Sequence, residues 1–174
     1  MMHRTHVTNQ SEVTLGADMG LRPRDGYCVP VSAALMVADD PTDLAEVVEW
    51  FKVTLEGLRS RMKRGTFYGG SQMCRAVADL LHLTGTIDRI DRDDSKVGFR
   101  GAGDGWGGAR YMSRTGYPTC AQWARTVPDH TPVGTRYLLH GTGHAGVAIV
   151  TPRGLVIYNM GARHRIDHTM RMDP

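Results

Sequence analysis

The order of its segments constrains the fold of this chain most: helix-patterned sequence comes first, strand-patterned sequence comes last, and the two do not alternate. Without β-α-β alternation there is no route to a parallel, doubly wound sheet, so the class expected is α+β, helices packed on an antiparallel sheet. The C-terminal strands are expected at about 134–140, 144–151, 154–159 and 163–168. Turns at Gly141-Thr142-Gly143 and Pro152-Arg153-Gly154 would make them a meander.

The helices are legible from their ends. Cys28 opens an apolar run through Met36, and Pro30 suits its first turn, where a missing N–H costs nothing. Thr42 is placed to cap a longer helix, Asp43 to about Gly57, in which Leu44, Val47, Val48, Phe51 and Leu55 recur at helical spacing. Ser71 caps a third helix carrying Met73, Val77, Leu80 and Leu81, which stops before Gly85. Residues 86–94 suggest a short exposed strand, and Thr119 caps a short helix from Cys120 to about Arg125. Residues 1–25 read as an extended arm and residues 95–118 as a glycine-rich loop, all within one domain of 174 residues.

Composition narrows the class of function. A net charge of +3 argues against nucleic acid as a partner, and the Arg59-Ser60-Arg61-Met62-Lys63-Arg64 cluster suits a solvated helix end. No apolar run approaches the roughly 20 residues that cross a bilayer, and no apolar stretch follows Met1 as a leader would require. Three cysteines without C-x-x-C spacing point to a reducing, cytoplasmic setting, which for a phage-encoded chain means host cytoplasm or virion.

Chemistry enters with three separated residues. Cys28 lies at a helix start, where the dipole and a neighbouring imidazolium favour thiolate. His144 begins one strand and supplies a base. Asn159 ends the next strand, where its amide can hold the imidazole in one tautomer. Of the other thiols, Cys74 falls within an amphipathic helix and reads as a small buried hydrophobe. Cys120 also opens a helix, but a short, Trp-bearing one suited to packing.

Asp25-Gly26-Tyr27-Cys28 running into Val31-Ser32-Ala33-Ala34-Leu35, then Gly134-Thr135-Arg136-Tyr137-Leu138-Leu139, Gly143-His144-Ala145 and Tyr158-Asn159, resembles the papain-like cysteine peptidases, in their small bacterial or phage form. The resemblance covers roughly residues 25–85 and 119–160. It implies a papain-like domain with the nucleophile-bearing helix packed on a C-terminal antiparallel sheet. Cys28 would be the nucleophile, His144 the base and Asn159 the orienting residue. The chain departs from that pattern in one place, since Arg22 stands near where such enzymes carry a glutamine that binds the oxyanion. Gln10, Asn9, Arg22 or a backbone N–H would have to serve. Losing one such donor costs about 10²–10³ in rate.

The expected function is therefore hydrolysis of a peptide or isopeptide bond in a protein or peptide substrate, without a cofactor. The alternatives are a peptidoglycan amidase or endopeptidase, acyl transfer to an amine, and a catalytically weak scaffold retained for binding, such as a phage factor acting on a host protein. Oligomeric state is left open. Weaker signals fall away: Gly103-Asp104-Gly105-Trp106-Gly107-Gly108 has no strand before it or helix after it, which argues against a dinucleotide site. Trp106 and Tyr111 are candidate substrate contacts on that loop. His164 and His168 are too far apart along a strand to share an ion, so no metal is expected, and His140 reads as structural.

Overall fold

The structure, a computed structural model, describes residues 28–61, 86–90, 117–141 and 144–174. The N-terminal arm, the third helix and the glycine-rich loop expected from the sequence lie outside these residues.

Helix α1, Cys28–Val37, carries almost no polar side chain, and Val31, Ala33, Ala34, Leu35 and Met36 are all buried. Its last carbonyls would be stranded in the core, and a basic side chain from the sheet meets them. Arg136 donates through Nη1 to the carbonyls of Leu35 (3.0 Å) and Ala38 (2.6 Å).

Helix α2, Leu44–Arg61, begins one residue later than the expected Asp43. Asp43 caps it, with Oδ1 accepting from the N–H groups of Ala45 and Glu46, while Thr42 bonds Asp40 instead. Glu46 reaches back to the N–H groups of Asp39 and Asp40 at 2.9 and 3.0 Å, which ties the α1–α2 connection. Val47 and Phe51, one turn apart, are fully buried in the cluster shared with α1. Leu44, grouped with them by spacing, is instead exposed. The helix also runs through Gly57, where the sequence suggested a stop.

Strands β1 (Thr86–Arg89), β2 (Arg136–Gly141), β3 (His144–Thr151), β4 (Gly154–Tyr158) and β5 (Ile166–Met172) form one antiparallel sheet in the order β1-β5-β2-β3-β4. The α+β class holds, but the sheet is not a simple meander. The chain leaves β4 at one edge and returns to insert β5 between β1 and β2.

Each face of the sheet meets a different helix. Leu138, Ala145, Val147, Ile149, Tyr158 and Met170 pack with α1 and α2. Tyr137, Leu139, Ala148, Val150, Leu155, Ile157 and Ile166 pack with helix α3, Cys120–Ala124. Thr119 and Gln122 form a reciprocal capping box at the start of α3, and Trp123 meets Tyr137 edge-to-face at 5.3 Å.

Candidate active site

Strand alternation decides which polar side chains share a face. In β2, Leu138 belongs to the α1 face, so His140, two residues on, points the same way. His140 pairs in register with Ala145 on β3 and with His168 on β5. Residues opposite one another across a ladder share a face, so His168 joins it. Between His140 and Gly141 the β2–β5 register shifts, and His168 and Ile166 oppose successive residues of β2. Asp167 is the extra residue at that break. Such bulges re-aim side chains, and here the Asp167 carboxylate meets both imidazoles.

Nδ1 of His140 lies 2.5 Å, and Nδ1 of His168 2.9 Å, from the same oxygen, Oδ1 of Asp167. An ionised carboxylate only accepts, so both Nδ1 atoms donate, and a ring in its neutral form then has its lone pair on Nε2. The side chains of His140 and Asp167 are 3% and 5% exposed, and that of His168 is 12% exposed. Burial pushes the Asp167 carboxyl up, but the hydrogen bonds from His140 and His168 outweigh it and hold the group at about 2. Burial pulls the His140 ring below its ordinary 6.5, against the raising effect of Asp167. The pair is therefore a neutral imidazole held by an ionised carboxylate, the form in which histidine takes up a proton.

Cys28 approaches the same face. The α1 carbonyls that Arg136 holds fix the C-terminal end of the helix at the start of β2. Cys28 is half-buried and packs on the cluster that contains Ala145, the cross-strand partner of His140.

His144 and Asn159, read as base and orienting amide, do meet, though not as expected. Nε2–H of His144 donates to the backbone carbonyl of Asn159, not to its side chain. Asn159 sits at φ +58°, a left-handed conformation that Asn tolerates, and this turns the chain at the end of β4. Its Nδ2 is buried with no partner among the described residues. By alternation with Ala145 and Val147, His144 points to the α3 face, away from α1. Its ring lies 5.4 Å from that of His164, and a side chain at Gly141, its cross-strand partner, would strike His164. The sheet thus separates the Cys28 helix from the histidine that the sequence singled out.

Cys120 is fully buried, and burial pushes its thiol up to about 12, which disfavours the thiolate that a nucleophile needs. Gln10, Asn9 and Arg22, considered for the oxyanion, Trp106 and Tyr111, considered for substrate, and Cys74 all lie outside the described residues. By its sequence His140 looks structural, and nothing around Asp167 marks it. One signal was available: His140 follows Leu138 at strand spacing, on the face that α1 must cover. Its partner could not be read, because that depends on β5 returning beside β2. In comparisons with known proteins, no family model, curated protein or solved structure matches the chain.

Proposed function

We propose that the protein is a cysteine hydrolase with a papain-like arrangement of parts, in which Cys28 attacks an amide carbonyl and His140, oriented by Asp167, carries the protons. The buried His140–Asp167 bond on the sheet face covered by α1 carries this reading. It replaces His144 and Asn159 in the base and orienting roles and keeps Cys28 as nucleophile.

The course of the reaction follows from proton positions. Nε2 of His140 takes the thiol proton as sulfur attacks the carbonyl carbon. The tetrahedral intermediate collapses, the C–N bond breaks, and the imidazolium returns the proton to the leaving amine. Water then loses a proton to the same Nε2 and attacks the thioester, which releases the acid and restores the thiol. Asp167 remains ionised and stabilises the imidazolium at each stage. The α1 N-terminus adds a dipole that favours the thiolate. A peptide or isopeptide amide is the substrate class, and a reducing compartment suits Cys28 and Cys120 as thiols.

An activated ester of a short acyl peptide tests the reading. The expected result is a burst of alcohol release with the acyl mass on Cys28, lost in Cys28→Ser and in His140→Ala. A chain that gives no burst and no acyl adduct is a binding scaffold instead.

A further inference from the structure

We propose that His140, Asp167 and His168 form a site for one divalent transition-metal ion of the zinc class, and that its occupation switches off the thiol chemistry. The switching rests on the hydrolase reading above; the metal site does not.

A base and its orienting carboxylate need one imidazole. Here two converge on one carboxylate oxygen, and the second, His168, has no part in the proposed proton transfers. The three residues each offer a donor atom, and these atoms all lie within 4.8 Å of one another. Two imidazoles and a carboxylate are a donor set that zinc-class ions accept, and such sites keep remaining positions for water. All three side chains are at least mostly buried, and their backbones are held by the β2–β5 ladder. The donors are therefore preorganised on strands and do not have to be gathered from mobile side chains.

Geometry makes the exchange a small one. Metal–nitrogen bonds of about 2.0–2.1 Å in a tetrahedral site place ligand atoms about 3.3 Å apart. The Nδ1–Oδ1 separations of 2.5 and 2.9 Å open by less than about 1 Å to accept it. The ion takes the place of the two hydrogens now shared with Oδ1. Each imidazole hydrogen moves to Nε2 of its own ring, so no proton is gained or lost, and the ion sheds hydration water. With Nδ1 on the metal and Nε2 protonated, His140 has no lone pair left for the Cys28 thiol.

Titrating the full, untagged chain with Co2+ and following its visible d–d absorption tests the site, with equilibrium dialysis against Zn2+ for stoichiometry. One ion per chain is expected. His168→Gln is the main variant because His168 is the most exposed of the three, and Asp167→Asn is the second. Loss of a ligand should weaken binding by at least about tenfold, since even outer-sphere partners are worth that much. His3→Ala with His6→Ala should leave binding unchanged. Absence of a stoichiometric ion, or binding that survives His168→Gln and disappears with His3 and His6, overturns the site. Iodoacetamide labelling of Cys28 with and without Zn2+ then reads the switch. Fast labelling that slows on adding Zn2+ in the wild type, but not in His168→Gln, supports it; fast labelling indifferent to bound Zn2+ overturns the switch alone. Slow labelling under all conditions means that the hydrolase reading has failed, and the switch with it, while the Co2+ result still decides the site.

Discussion

His140 on β2 donates through Nδ1 to Oδ1 of Asp167 on β5, at 2.5 Å, across the one break in the register between those strands. Neither residue would find the other in a regular ladder. The bulge that joins them also brings His168 to the same oxygen, and the group occupies the sheet face covered by the Cys28 helix.

Asp167 makes stability depend on acid. Its folded-state carboxyl is held at about 2, below the ordinary 3.8, so the unfolded chain binds its proton first as pH falls. Its stabilising contribution, about 2 kcal/mol, is complete above about pH 5 and is lost as pH falls through the folded value near 2. Urea melts between pH 2 and 6, in chelator, should show this loss in the wild type. In Asp167→Asn the loss should be smaller by that amount.

Arg136 closes the C-terminal end of α1. Arg136→Met keeps much of the aliphatic stem and leaves the Leu35 and Ala38 carbonyls without their charged donor. Hydrogen bonds to charged groups are worth about 1.5–3 kcal/mol each, so a loss of about 2 kcal/mol or more is expected in urea unfolding.

Gly146 has no room for a methyl group. A Cβ there would lie 2.6 Å from the Tyr158 carbonyl and 2.8 Å from Met160 Cβ, contacts that hold β3 against the end of β4. Gly146→Ala should cost about 1–3 kcal/mol by forcing the two apart, measured by thermal unfolding.

Cys120 should be chemically silent in the folded protein. Its thiol, pushed up to about 12, has no thiolate at neutral pH, so native labelling should miss it and labelling in urea should find it.

What the sequence disclosed follows the range of the interactions involved. The Thr119 cap, the Pro152–Gly154 turn and strands β3 and β4 rest on neighbours in the chain, and all were legible. The position of β5 was not, because its pairing with β2 spans a long stretch of chain and no local pattern records it. The facing of His144 was hidden for another reason. β3 is buried on both sides, so every position from Ala145 to Val150 is apolar or glycine and the usual alternation is silent. The start of α1 at Cys28 was legible because a helix start has a local signature, whereas a histidine at a strand start looks the same whichever way it points.

The central claim is that Cys28 draws its reactivity from His140, on its own side of the sheet. The most direct measurement is the rate of Cys28 carboxymethylation by iodoacetamide near about pH 6, where an unperturbed thiol is well under about 1% thiolate. Mass spectrometry of wild type, His140→Ala and His144→Ala in chelator supplies it. The account predicts selective labelling of Cys28 that falls by about a hundredfold in His140→Ala and persists in His144→Ala. A rate unchanged by His140→Ala, or one abolished only by His144→Ala, would contradict it.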